Sequence, residues 1–173
     1  MQAAVKEDHV NRRRLILAAS ALAAGARLPA YANARASVVG EAINLPSVTL
    51  IDGRAITTDV WRGKVLLVVK FATWCPFRKI VNPKVEKLLP ANRARGLEVL
   101  ALSIDRNPAE VPKYIQQHRY SFHAAMWTPE WEATLGSQKG LPVFWVIGRD
   151  GKLKQTETGE LLDEDVAEFA RWL

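Results

Sequence analysis

The sequence predicts an α/β fold, a three-layer α/β/α sandwich with a mixed central sheet and an N-terminal β-hairpin. Three observations carry that reading. Continuous apolar runs at Val65–Val69, Leu97–Ile104 and Leu141–Ile147 have the length and composition of strands buried on both faces. Segments of helical periodicity separate them, so strands and helices alternate as in crossover units. Two Asp-Gly pairs, Asp52-Gly53 and Asp150-Gly151, sit between short extended stretches, and Asp-Gly supplies the positive φ of a tight turn.

Taken in order, residues 36–46 form a lead segment with no regular element. Val48–Ile51 and Arg54–Thr57 pair as the hairpin, and residues 58–63 connect it to the first core strand, with Trp61 covering a core edge. Lys70 interrupts that strand and reads as a solvated bend. Phe77, Ile80, Val81, Val85, Leu88 and Leu89 recur at i, i+3, i+4, which predicts a helix from Cys75 to about Pro90, kinked at Pro83. Asn107-Pro108-Ala109-Glu110 opens a second helix whose Val111, Tyr114, Ile115 and His118 share a face. Residues 122–127 form a short strand, and 129–135 one or two helical turns ended by Gly136. After the Leu141–Ile147 strand, Leu153–Thr158 pairs back across a turn. Asp163 caps a last helix with Val166, Phe169, Ala170 and Leu173 on one face.

The chain has 173 residues, one domain's worth, and 49% are hydrophobic. Its net charge is +6, from 24 basic and 18 acidic residues. Five of those basic and two of the acidic residues lie in 1–34, so 19 and 16 remain beyond it, a balance that gives no reason to expect a nucleic-acid partner. Residues 1–34 read as a cleaved export signal. Asn11-Arg12-Arg13-Arg14 is a positive n-region, Leu15–Ala26 an Ala/Leu-rich apolar stretch, and Ala30-Tyr31-Ala32 and Ala32-Asn33-Ala34 fit the A-x-A cleavage pattern. The arginine pair before Leu15-Ile16 resembles a twin-arginine signal. The domains are therefore 1–34 signal, 35–46 lead and 47–173 folded domain, with no stable membrane span after cleavage and a periplasmic location. The alternative is a retained N-terminal anchor.

One stretch organises the rest: Phe71-Ala72-Thr73-Trp74-Cys75-Pro76-Phe77-Arg78, running from a buried strand into a helix with the single cysteine at the junction. Unpaired N–H groups at a helix start and the positive end of its dipole favour thiolate, the nucleophilic form of a cysteine. Disulfides persist in an exported protein, yet one cysteine cannot close an internal one. The thiol stays free, is buried and inert, or pairs with another molecule; its place before Pro76 and beside Arg78 argues for a reactive, accessible sulfur.

Trp-Cys-Pro at a strand–helix junction, a helix kinked by Pro83, and Gly140-Leu141-Pro142 opening a later strand resemble the thioredoxin superfamily. More narrowly, they resemble the exported TlpA/ResA-type thiol–disulfide oxidoreductases, which include cytochrome-c-maturation thioredoxins. The resemblance covers Leu45–Leu173 and implies a thioredoxin-like sandwich, a cis peptide at Leu141–Pro142 facing the cysteine, and a disulfide- or thiol-containing protein as partner, such as a cytochrome-c or metal-centre maturation client. It also departs from the family pattern. Arg78 stands where the second cysteine of Cys-x-x-Cys belongs, and Val69 and Val81 stand where members often place a buried polar residue near that second sulfur.

The candidate site is therefore Cys75 as nucleophile and Arg78 either over the thiolate or solvated, with Trp74, Pro76, Leu141 and Pro142 as the substrate-binding wall. No cofactor is expected. His118 and His123 lack a third ligand, so no metal site is expected either. The leading functional reading is a monothiol thiol–disulfide oxidoreductase that forms mixed disulfides and needs an external resolving thiol. The alternative is a non-catalytic binding module for a cysteine-containing client. A one-cysteine peroxidase is weaker, because Ala72 stands where the Pro-x-x-x-Thr-x-x-Cys pattern needs its Thr.

Overall fold

A computed structural model describes residues 35–173. The expected signal segment, 1–34, lies outside the described residues. Among the described residues, seven strands and four α-helices follow in order. They are β1 (Val48–Thr49), β2 (Ala55–Ile56), β3 (Val65–Phe71), α1 (Arg78–Asn92), β4 (Leu97–Ser103), α2 (Glu110–His118), β5 (His123–Met126), α3 (Pro129–Leu135), β6 (Val143–Ile147), β7 (Leu153–Thr158) and α4 (Asp163–Glu168).

The main sheet has the order β5-β4-β3-β6-β7, parallel from β5 to β3 and antiparallel from β3 to β7. The mixed sheet follows from the connections: α1 and α2 are long enough to return the chain to the same edge, while the Asp150-Gly151 turn permits only an antiparallel return. Every residue of β3 is buried, which its continuous apolar run requires of a central strand covered on both faces.

Alternation along β3 divides the core. Val65, Leu67, Val69 and Phe71 face α1, α2, α4 and the turn after α4 through Val81, Val85, Leu89, Val111, Tyr114, Val166 and Phe169. Leu66 and Val68 face the opposite layer, made of Trp61, Val48, Leu50 and α3 residues Trp131 and Leu135. The lead segment packs at this domain too. Ser37 donates through its N–H to Leu135 O and through its hydroxyl to Thr134 O. Gly136 has φ +83°, and a Cβ there would lie 2.3 Å from the Ala36 Cα, so this close crossing admits only glycine.

Five local expectations change. Lys70 is not a solvated bend: it is the sixth residue of β3, 8% exposed, with its ammonium 4.3 Å from the Trp127 ring centroid. The aromatic face replaces water around the charge. Helix α1 begins at Arg78, three residues later than the periodicity suggests, because two turns, at residues 73–74 and 76–77, precede it. It runs through Pro83 and Pro90 to Asn92.

Its buried face is also rotated. Phe77 and Ile80 are 43% exposed, whereas Arg78, Val81, Asn82, Val85, Leu89 and Asn92 point inward. In α4, Asp163 is the first helical residue and pairs with Lys84 at 2.9 Å. The terminal N–H of Leu162 is satisfied by the Asp165 carboxylate at 2.7 Å. The hairpin strands shrink to two residues each because Leu50 and Ile51 turn away to bond the edge strand β5.

Candidate active site

Sheet topology brings the site together. Parallel pairing of β3 with β4 sets Phe71 beside Ser103, so the loops that leave them, 72–77 and 104–109, emerge at the same end. Antiparallel pairing of β3 with β6 sets Lys70 beside Val143, so Pro142, just before β6, arrives at that end as well. Leu141–Pro142 is a cis peptide, and the Cys75 thiol points at the Leu141 carbonyl oxygen, 3.8 Å away.

Cys75 is 4% exposed, which corrects the expectation of an accessible sulfur. The reason is geometric: the turn that bonds Cys75 N–H to Ala72 O, at 3.1 Å, folds the residue in against the Leu141–Pro142 segment. The surface around it is apolar and open. Trp74 is 67% exposed, Pro76 is exposed, and Phe77 and Ile80 continue the patch. Leu141 is half-buried and Pro142 buried.

Arg78 is 8% exposed, so it is not solvated, and its guanidinium lies 3.9 Å from the centroid of the Tyr114 ring. The inward face of α1 dictates this: position 78 is three and four residues before the buried Val81 and Asn82, and seven before Val85. Nε and Nη1 have no hydrogen-bond partner among the described residues. Beneath it, Asn82 donates to the Tyr114 hydroxyl at 3.1 Å, and Tyr114 donates to Tyr120 at 3.4 Å. Burial first, then the bond from Tyr114, pushes the Tyr120 phenol well above its usual range, so it remains a neutral hydroxyl.

The sequence reading missed Asp105, which holds the cysteine loop. Its carboxylate accepts from Thr73 N–H at 2.8 Å and the Thr73 hydroxyl at 2.6 Å, and also from the Ser103 hydroxyl. Burial pushes its pKa up, but the bonds from Ser103 and Thr73 and the charge of Arg78 outweigh burial and leave it below the ordinary carboxylate value. The signal was present: an acid just past the C-terminal end of a parallel strand stands at the edge where open α/β sheets build their sites. Val69 and Val81 are both buried among apolar neighbours, so no carboxylate takes the place of the family's buried polar group at either position. Among the described residues, no cluster of three His, Cys, Asp or Glu could hold a metal ion, and no helix is long and apolar enough to cross a membrane.

A five-stranded mixed sheet, a cysteine at the strand–helix junction and a cis-proline opposite it define a thioredoxin-fold protein, and its similarity to ResA proteins makes it TlpA/ResA-like. The Redoxin family profile matches residues 25–173, and the chain belongs to that family. It is 26% identical over 124 residues to the thiol-disulfide oxidoreductase ResA of Bacillus thuringiensis subsp. konkukian, covering 72% of each chain. It is 24% identical over 163 residues to ResA of Geobacillus thermodenitrificans, covering 93% of this chain and 94% of that one. A crystal structure of a thiol:disulfide interchange protein of the thioredoxin family from Chlorobium tepidum superposes with a TM-score of 0.70. Its identity is 22%, and the match covers 81% of this chain and 97% of that one.

Proposed function

We propose that this protein is an exported monothiol thiol–disulfide oxidoreductase that works through Cys75. The supporting observation is the pairing of Cys75 Sγ with the Leu141 carbonyl at a cis-proline, while position 78 carries a guanidinium in place of a second sulfur. The Cys75 thiolate attacks one sulfur of a partner's disulfide. A Cys75–partner bond forms, the partner's S–S bond breaks, and its second sulfur leaves as thiolate. Arg78 cannot complete the cycle, so an external thiol attacks the partner's sulfur and returns Cys75 as thiolate. Trp74, Pro76, Leu141 and Pro142 form the surface against which a partner segment lies, and the partner is a disulfide- or thiol-containing protein of the periplasm, of the cytochrome-c or metal-centre maturation kind.

The test is net reduction of insulin with and without a small thiol, because in a scrambled substrate the released substrate thiolate could itself resolve the mixed disulfide. Wild-type protein gives multiple turnovers only when the thiol is added, above the rate of the thiol alone, and Cys75→Ser gives no such gain. Multiple wild-type turnovers without added thiol would contradict the reading. One observation favours a second reading: Cys75 is 4% exposed while Trp74 is 67% exposed, as in a client-binding module that holds a partner without exchange. Client binding unchanged by Cys75→Ser, with no turnover under either condition, would select it.

A further inference from the structure

We infer that Asp105 is a positioning residue for thiol exchange: by gripping Thr73 it makes Cys75 prefer disulfides carried in a polypeptide segment over small free disulfides. This deepens the monothiol reading and rests on it. The loop that carries Cys75, residues 72–77, has few anchors of its own. Its backbone bonds stay within the loop or run on into α1, as Cys75 N–H to Ala72 O and Lys79 N–H to Pro76 O, each at 3.1 Å. Among the described residues, Asp105 is the one side chain outside the loop that hydrogen-bonds it. One carboxylate oxygen takes Thr73 N–H at 2.8 Å and the other takes the Thr73 hydroxyl at 2.6 Å, so Thr73 is held at two atoms at once. The anchor is itself fixed. Asp105 is 8% exposed, its N–H bonds Ser103 Oγ at 3.0 Å, and the buried Ser103 hydroxyl donates back to its carboxylate.

Thr73 stands two residues before Cys75, so its grip sets the direction from which the sulfur is reached. In that arrangement Cys75 is 4% exposed and its Sγ points at Leu141 O, 3.8 Å away, with Trp74 and Pro76 exposed beside it. A disulfide within a peptide segment gains contacts along Trp74, Leu141 and Pro142, and these offset the opening needed to reach a shielded sulfur. A small disulfide has no such contacts. Releasing Thr73 misaligns the sulfur with that wall and also uncovers it, so the peptide reaction slows while the small-disulfide reaction does not. The step is the same for both: the Cys75 thiolate forms a bond with one sulfur, the S–S bond breaks, and the other sulfur leaves as thiolate.

The experiment measures, by intact mass, the rate at which native protein gains a Cys75 adduct from two probes. One is the disulfide dimer of acetyl-Gly-Val-Cys-Val-Gly-amide, the other N,N'-diacetylcystinamide, which is the same cysteine unit without neighbours. In the wild type the peptide should react about tenfold faster than the small disulfide. Asp105→Ala should lower that ratio about tenfold, and Thr73→Val, which keeps the N–H bond, about threefold. Asp105→Asn retains an oxygen acceptor without the charge and should hold the ratio closer to wild type than Asp105→Ala does. Val166→Ala weakens the core at α4, away from the loop, and should leave the ratio within about twofold, because lost stability alone affects both probes. Should Asp105→Ala not fold, the wild-type ratio and Thr73→Val still decide. Equal wild-type rates, an unchanged ratio in the Asp105→Ala and Thr73→Val variants, an Asn variant no better than Ala, or a Val166→Ala ratio that falls as far would each overturn the inference alone. Native protein that gains no adduct from either probe would overturn the monothiol reading, and this inference with it.

Discussion

The guanidinium of Arg78 lies 3.9 Å from the centroid of the Tyr114 ring, on the face of α1 turned toward the sheet. A position that could carry a second redox sulfur is instead part of a buried Arg–Tyr–Asn–Tyr stack. Arg78→Cys should vacate the space over Tyr114 and, with the sulfur reduced, destabilise the fold by about 1–3 kcal/mol, the scale of losing a buried contact. The new thiol is one turn from Cys75, so a disulfide should close in air. Insulin reduction with a dithiol donor should then exceed that of the wild type. Failure to close would show that position 78 does not face Cys75.

Val81→Glu added to Arg78→Cys should raise the insulin-reduction rate per folded molecule, by setting a carboxylate near the new sulfur. Val81 is fully buried, so this change should also cost several kcal/mol, about the penalty for an unpaired buried polar group. Rate and urea midpoint should therefore move in opposite directions. A rate that does not rise would mean that proton handling is not what limits the restored pair.

Asp105 makes stability depend on acid pH. Its native pKa is lowered, so at neutral pH the folded state holds the carboxylate ionised more readily than the unfolded chain does. The stabilisation is fully present above the unfolded value of about 3.9 and is lost as pH falls through the lower native value. Asp105→Asn should cost about 1–3 kcal/mol at pH 7, and the gap to wild type should narrow below pH 4. Urea denaturation at the two pH values reads both numbers. A gap that is the same at both would remove the ionised carboxylate from the account.

Lys70 tests the opposite layer. Lys70→Met keeps the length of the side chain and should change stability by less than about 1 kcal/mol, whereas Lys70→Glu sets an unpaired anion on the Trp127 face and should cost about 3–5 kcal/mol. Urea midpoints and Trp fluorescence report both. Equal effects of the two substitutions would mean that Trp127 does not sense the charge.

These residues also show what sequence can and cannot reveal. The β3 run, the Asp-Gly turns and the Trp-Cys-Pro junction were legible because each rests on a local rule: apolar continuity, turn φ, motif spacing. Arg78 and Lys70 were misplaced because a charged residue on an apolar face reads as solvent-exposed until its aromatic cover is known. Tyr114 and Trp127, which supply that cover, lie 36 and 57 residues further along the chain. Asp105 was missed for a related reason: only parallel pairing of β3 and β4 brings it under Thr73. The inward side of α1 was within reach, since Arg78 keeps helical register with Val81, Val85 and Leu89.

Processing of the N-terminus is a separate expectation. Expressed with its own residues 1–34 in a Gram-negative host, the protein should appear in the periplasmic fraction with a mass that begins at Arg35, or at Asn33. Intact protein beginning at Met1 in the membrane fraction would replace the cleaved signal with an anchor.

The most direct measurement is the intact mass of native wild-type protein after incubation with a disulfide-containing peptide. The monothiol account predicts one peptide adduct per chain, mapped to Cys75 and removed by added thiol, although Cys75 is only 4% exposed and its sulfur lies beside Leu141. No adduct on the native protein, with full modification only in denaturant, would make Cys75 an inert structural thiol and contradict the account.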